Sequence, residues 1–298
     1  MKLTGLHFLL TYRCTFECNH CFVWGSPRQG GTMTLPHIRL FLQQAAEAGT
    51  IKSVAFEGGE PFLYYATLLD AVKLASGMGF AVSLVTNGYW ATDVETSVAW
   101  LKPFAGLIQS VSVSTDLYHY DEQISRKARN ALAAAEQLGI TARLMTIALA
   151  GTPDAVTVVG ELPPGETGVM YRGRAAVKLA PRYAVQPASQ FTTCPHENLR
   201  EPGRVHLDAL GNLHICQGIV IGNLFETPLK EICATYDPDA HPIVGPLLDG
   251  GPVELARRYG VSCASGYVDA CHLCYQTRSA LRERFPAELR PDQMYGVR

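Results

Sequence analysis

Short apolar runs alternate with amphipathic stretches between residues 6 and 171, and this alternation narrows the fold more than any other feature of the chain. The apolar runs are Leu6–Thr11, Ser53–Glu57, Ala81–Thr86, Gln109–Ser114, Ala142–Ala148 and Gly168–Tyr171. Between them, apolar residues recur with helical spacing over Leu35–Ala48, Tyr65–Met78, Val94–Leu101 and Asp121–Leu138. Strands separated by helices pair in parallel through right-handed crossovers, so an α/β fold is expected, a partial (β/α)6 barrel of the TIM type. Pro153–Glu161 is short and poorly periodic, so that crossover is expected to lack a full helix. In such barrels the loops after the strands carry the chemistry.

The alternation stops near Pro181–Ser189. The expected organisation is therefore a barrel over residues 1–185 and a small α+β unit over 186–298. In the second unit, Arg204–Asp208 and Asn212–Cys216 read as a hairpin turning at Ala209–Gly211. Helices are expected over Pro228–Thr235, Val253–Tyr259 and Tyr275–Arg284, with a Gly/Pro-rich loop over Asp237–Pro252. A net charge of −2 gives no basic footprint for nucleic acid or for an anionic membrane. No basic segment followed by a long apolar stretch opens the sequence, so neither signal peptide nor membrane span is expected, and the setting read from this is cytoplasmic.

The nine cysteines fall into two groups far apart in sequence. The first follows the opening strand as Cys14-Thr-Phe-Glu-Cys18-Asn-His20-Cys21. Close thiol spacing without an export signal argues for metal before disulfides. Three thiolates can each hold one iron of a [4Fe–4S] cluster and leave the fourth iron open, whereas electron-transfer ferredoxins supply four cysteines. A zinc loop completed by His20 is the competing reading, and the spacing suits it less well, because zinc sites usually pair ligands two residues apart.

The C-x3-C-x2-C spacing resembles the signature of the radical S-adenosylmethionine (SAM) superfamily. Glu57-Gly58-Gly59-Glu60-Pro61, after the second strand, is similar to that family's GGEP motif. Thr86-Asn87-Gly88 follows the third strand, and Ser112-Val113-Ser114-Thr115-Asp116 closes the fourth. Tyr171-Arg172-Gly173-Arg174-Ala175 resembles a Gly-Arg-Ala segment after the sixth, so the resemblance covers the barrel half of the chain. It implies a cluster on Cys14, Cys18 and Cys21 whose open iron chelates SAM, and reductive cleavage of SAM to a 5′-deoxyadenosyl radical that abstracts hydrogen from a substrate. It further implies that Gly58, Gly59, Glu60 and Pro61 meet the SAM amino group. Asn87, Ser112 and Ser114 would meet its carboxylate and ribose, with Arg174 paired to the carboxylate and His20 packed beside the adenine. The residue chemistry agrees: paired glycines at a strand end admit close backbone approach, and Glu60 offers negative charge to an ammonium.

Cys194, Cys216, Cys271 and Cys274 form a second four-ligand set. Ile221-Gly222-Asn223-Leu224 through Leu229-Lys230-Glu231-Ile232 resembles the segment after the hairpin cysteine of SPASM/twitch families, and no cysteine follows Cys274. The resemblance implies a twitch-type domain with one auxiliary [4Fe–4S] cluster; a structural zinc site fits the same spacing. With four thiolates, such a cluster has no open iron and serves as electron carrier or staple. Cys233 lies on an apolar helix face and reads as a core thiol, while Cys263 sits in a polar loop. Asp116, Tyr118 and His119, with Tyr171 and Arg172, are the substrate-side candidates. Phe22 and Trp24 are expected to close over the first cluster.

The layout resembles the twitch-type dehydrogenase of aminocyclitol biosynthesis. The expected function is a radical SAM oxidoreductase acting on a small polar substrate, aminocyclitol- or sugar-like, with a flavodoxin- or ferredoxin-type reductant. An epimerase using Cys263 as hydrogen donor is the alternative. A maturase of ribosomal peptides is less expected, because thirteen residues precede Cys14 and leave no space for a leader-recognition domain. A non-catalytic iron–sulfur or zinc scaffold would have no use for a SAM pocket.

Overall fold

The computed structural model describes residues 1–116, 118–120, 125–147 and 168–297. The expected start of the fourth helix at 121–124, the end of the fifth strand at Ala148 and the Pro153–Glu161 crossover lie outside these residues. The barrel half contains β1 (Gly5–Thr11), α1 (Leu35–Ala48), β2 (Ser53–Gly58), α2 (Tyr65–Gly77), β3 (Ala81–Thr86) and α3 (Val94–Leu101). It continues with β4 (Ser110–Ser114), α4 (Arg126–Gln137), β5 (Thr141–Met145) and α5 (Arg174–Lys178). Then come β6 (Arg204–Leu207), β7 (Asn212–Cys216), β8 (Ile219–Asn223), α6 (Leu229–Thr235), α7 (Val244–Tyr259) and α8 (Ala270–Leu281). Local chemistry sets the ends of α1: the Thr34 hydroxyl accepts from the His37 N–H at the start, and Gly49 closes the helix at φ 73°.

One sheet runs in the order β5-β4-β3-β2-β1-β6-β7-β8. The pairs from β5 through β6 are parallel, and β7 and β8 are antiparallel additions. This is the expected mixed α/β, partial-barrel architecture. The expected sixth strand at Gly168–Tyr171 is a correction, since it joins no sheet. The Tyr171 N–H donates to the Asp269 carboxylate at 3.1 Å, and Arg172 closes a tight turn on Met170. The sixth parallel position belongs to β6, which the sequence marks only as half of a hairpin.

Side-chain alternation along β1 divides the packing. Leu6, Phe8 and Leu10 face the helices and join a core with Phe41, Phe56, Leu84 and Val113. Val205, Leu207, Leu213, Leu229 and Ile232 belong to that same core, and Cys233 packs against it as expected. Leu9 faces the other way, into a second core with Ile215, Ile219, Leu247 and Tyr275. Among the described residues, no helix is long and apolar enough to cross a membrane.

Two helices depart from expectation. α7 begins inside the segment read as a loop, because Val244 and Leu247 bury there. The glycines mark a kink instead: at Gly251 (φ 69°) a Cβ would stand 2.3 Å from the Thr192 carbonyl carbon. α8 starts earlier than read, where the Asp269 carboxylate caps the His272 N–H at 2.7 Å. Cys271 and Cys274 therefore lie three residues apart near the start of a helix, on one face.

At the β6–β7 turn, buried Asp208 accepts from the Tyr12 hydroxyl (3.1 Å), the Asn212 amide (3.0 Å) and His214 Nε2 (2.9 Å) on one oxygen. Its other oxygen takes the N–H groups of Leu210 and Asn212, both at 2.9 Å. Burial alone would raise this carboxyl, but the bonds from His214 and Asn212 outweigh it and hold the group below its usual range. Asp208 therefore contributes stability above the unfolded-state value of about 3.9 and loses it as pH falls through the lower folded-state value. Asp208→Asn should cost about 3 kcal/mol in urea denaturation at pH 7, with the gap to the native protein narrowing toward acid pH.

Candidate active site

Thr11 ends β1 and releases the loop that carries the first cysteines. Hydrogen bonds from Cys14 N to Ser26 O and from Cys21 N to Cys18 O, each 3.1 Å, fold this loop on itself. The loop rests on the Gly58–Gly59 turn. A Cβ at Gly58 would meet Thr11 O at 2.4 Å, and one at Gly59 would meet Arg13 O at 2.2 Å. Both glycines therefore serve the approach of two backbones. Pro61 follows as the first residue of a tight 3-10 turn whose cap is Glu60.

The three thiols share one small volume. Burial pushes Cys14 up to about 11, with the neighbouring Glu60 and Cys21 charges adding to it. Burial, then Cys21 and Cys14, raise Cys18 as well. Backbone N–H groups point at the sulfurs, from Phe16 to Cys14 (3.4 Å) and from Gly25 to Cys21 (3.2 Å). Donors aimed at thiols that resist ionising beside one another suit a cation-bound thiolate set, because ligation supplies the positive charge the site lacks. The loop thus fits a metal cluster.

Arg174, expected at the SAM carboxylate, lies against the cysteine loop. Its guanidinium donates to Cys18 O (2.7 Å) and Gly25 O (2.8 Å), its backbone N–H donates to Cys21 O (3.0 Å), and the charge lies 5.3 Å from the centre of the Trp24 ring. The side chain is 3% exposed, so these contacts use it to hold the cysteine loop in shape. Glu60 is likewise fully buried. It accepts from Phe62 N (3.0 Å), Thr86 Oγ1 (2.9 Å) and Asn87 N (2.7 Å), and burial pushes it up to about 7. Asn87 gives its amide to Thr15 (3.0 Å) and Cys14 Sγ (3.5 Å), tying the end of β3 to the cysteine loop. Ser112 and Ser114 occupy the half-buried face of β4, opposite Val111 and Val113.

Past the end of β4, Asp116 is 2% exposed and accepts from His119 Nδ1 at 2.9 Å and from the Tyr118 N–H at 2.9 Å. The His20 ring lies 4.7 Å from the Tyr118 ring and 5.2 Å from that of His119. Its Nδ1 is buried with no hydrogen-bond partner among the described residues, and desolvation pushes the ring down to about 4. Fold and loop together thus gather His20, Asp116, Tyr118 and His119 beside Cys18.

The second group of cysteines also converges. Cys194, Cys216, Cys271 and Cys274 line one pocket together with Arg172 and Arg278. Burial and then Cys216 and Cys274 push Cys194 up to about 11, and burial raises Cys271 and Cys274 too. Arg172, read from sequence as substrate-side, donates to Cys216 Sγ (3.3 Å) and to Glu197 (3.2 Å), with its charge 5.4 Å from the centre of the Phe22 ring. Sequence reasoning missed Arg278, which is buried beside Cys274 and donates to Gln217 O and the Tyr295 hydroxyl. Its spacing four residues after Cys274 was the available signal. Trp24 Nε1 donates to the Tyr275 hydroxyl at 3.1 Å, joining the two cysteine regions. Cys263 is exposed, with Tyr267 as its neighbour, and is not among the residues gathered around either cysteine group.

Residues 8–148 match the family model described as the radical SAM superfamily, and the chain carries a radical SAM domain. That domain implies SAM and a [4Fe–4S] cluster as cofactors. The putative peptide biosynthesis protein YydG of Bacillus subtilis is 27% identical over 124 residues, 41% of this chain and 39% of the relative. An S-adenosylmethionine-dependent nucleotide dehydratase of Fibrobacter sp. is 26% identical over 131 residues, 42% of this chain and 37% of the relative. The match thus spans about two fifths of these curated relatives. Streptococcus suis SuiB bound to S-adenosylmethionine aligns with TM-score 0.53 at 16% identity, over 80% of this chain and 67% of that one. Native anSMEcpe with bound AdoMet aligns with TM-score 0.52 at 13% identity, over 95% and 97%. Both share the fold.

Arg174→Ala removes two charge-assisted bonds to the loop, worth roughly 3 kcal/mol together. Iron bound at Cys14, Cys18 and Cys21 and SAM affinity should fall together, measured by iron assay and equilibrium dialysis. Loss of SAM affinity with iron intact would instead return Arg174 to the SAM carboxylate.

Proposed function

We propose that the chain is a two-cluster radical SAM oxidoreductase that removes hydrogen from a small polar substrate, aminocyclitol- or sugar-like, and oxidises it by two electrons. In this reading residues 1–185 supply the SAM-binding half and residues 186–298 the auxiliary half. The observation that carries it is the convergence of Cys194, Cys216, Cys271 and Cys274 on one cavity with two buried arginines. Four thiolates saturate a cluster and leave it an electron carrier. The buried positive charges of Arg172 and Arg278 suit a cluster that carries net negative charge.

SAM and the first cluster supply the radical that takes a hydrogen atom. The protein's own groups would then orient the substrate and move the proton. Asp116 holds His119 through Nδ1, which leaves Nε2 to accept a proton from a substrate hydroxyl or amine. A cluster held by Cys194, Cys216, Cys271 and Cys274 would supply an acceptor for one electron. With one hydrogen atom removed and the proton taken by His119, a C–H/O–H or C–H/N–H pair would then become a carbonyl or imine. Glu60, Asn87 and the glycines of the Gly58–Gly59 turn keep the cysteine loop and strand ends in register beside this site.

A peptide substrate is the second reading, favoured by the description of YydG as a putative peptide biosynthesis protein. An epimerase with Cys263 as hydrogen donor has less support, given the exposed position of that thiol.

Anaerobically reconstituted protein should bind about eight irons per chain, falling to about four when Cys14, Cys18 and Cys21 are replaced together. One zinc with four irons would overturn the auxiliary-cluster reading. Cys263→Ala should turn over normally and yield a product two electrons more oxidised. A product inverted at carbon and carrying deuterium from heavy water would establish the epimerase instead.

A further inference from the structure

The inner face of the barrel holds a cluster of ligating side chains that the radical chemistry does not use. His7 lies on β1, Glu57 on β2 and His206 on β6, three adjacent parallel strands. Register brings them together: His7 pairs with His206, and Glu57 sits opposite Leu9, two residues along β1 on the same face as His7. The Glu57 carboxylate reaches back to both rings, with Oε1 2.7 Å from His7 Nδ1 and 3.3 Å from His206 Nε2. The rings meet edge-on at 5.3 Å, and one ligand atom from each residue falls within 4.8 Å of the others.

We propose that His7, Glu57 and His206 form a mononuclear divalent-metal site, separate from both cysteine groups, that takes a first-row transition ion of the Zn2+ or Fe2+ type. Two imidazoles and one carboxylate are a donor set that such ions accept, with further positions left for water or an exogenous ligand. Ligands at about 2.1 Å stand about 3.0 Å apart at right angles and about 3.4 Å apart in a tetrahedron. The 3.3 Å contact falls within that range and the 2.7 Å contact just below it, so Glu57 and His7 need part only slightly to admit the ion. Rigid strands carry all three groups, so the site is formed before an ion arrives. Side-chain exposures of 29%, 15% and 12% for His7, Glu57 and His206 leave an approach for the ion. The Phe22 ring stands 5.7 Å from that of His206 and separates this site from Arg172 and the auxiliary cavity.

The test uses protein reconstituted anaerobically with its clusters, treated with chelator and titrated with Zn2+ by calorimetry. One ion per chain is expected. Outer-shell losses alone cost about 10–100-fold in affinity, so loss of a ligand in Glu57→Ala or His206→Ala should weaken binding by at least about 100-fold, with iron content unchanged. Zinc-edge absorption of the wild type should show nitrogen and oxygen near 2.0–2.1 Å and no sulfur near about 2.3 Å. If those variants do not fold, His7→Ala, the most exposed of the three, and the wild-type spectrum still decide. Absence of saturable binding, a sulfur shell, or wild-type affinity in the folded variants would each overturn the site.

Discussion

The structure depends on the parallel pairing of β1 on both of its edges. Leu6 pairs with Val54 on one side and with Val205 on the other, so the strand that leads into the cysteine loop is fixed from two directions. Toward the helices β1 is wholly apolar, with Leu6, Phe8 and Leu10 in one core; on its other face Leu9 enters the second core while His7 stays half-buried. Because β6 continues through the Asp208 turn into β7, this pairing also sets where Cys216 stands relative to Cys14. The two cysteine groups are thus held by one continuous sheet.

Cations over aromatic rings add a second set of ties. Arg174 stacks on Trp24 while bonding the carbonyls of the cysteine loop, and Trp24 passes a hydrogen bond to Tyr275, next to Cys274. Arg172 stacks on Phe22 while donating to Cys216. Phe22 and Trp24 lie within three residues of Cys21, so the short stretch after the first cysteine group meets the second through Arg172 on Phe22 and through the Trp24–Tyr275 hydrogen bond. Buried guanidiniums tolerate such positions when planar contacts and several acceptors replace their water. Their cost in desolvation is offset by thiol and carbonyl partners, and a change at either ring would be felt at both cysteine groups.

Much of the local structure was legible in the sequence. Helical spacing located α1 and α3 to the residue, and β3 as well, because periodicity and caps act within a few residues. Cysteine spacing and the Gly-Gly-Glu-Pro turn were legible for the same reason, and in the fold the cysteine loop rests on that turn. Where a segment's partner lay far along the chain, the reading failed. Gly168–Tyr171 looked like a strand, but Tyr171 bonds Asp269 instead. The segment before Gly250 looked like a loop, but Val244 and Leu247 found a core and became helical.

The sequence by itself determined the alternating α/β pattern, the two cysteine sets and the turn chemistry beside the first, since each is encoded by residues close together in the chain. Tertiary structure alone decided that β6 pairs with β1, that Arg174 bonds the carbonyls of the first cysteine loop, and that Arg172 reaches Cys216. The meeting of His7, Glu57 and His206 was decided in the same way. Each of these joins residues far apart in the chain, and the choice of partner rests on burying apolar strand faces and satisfying buried charge, energies that a local pattern does not contain.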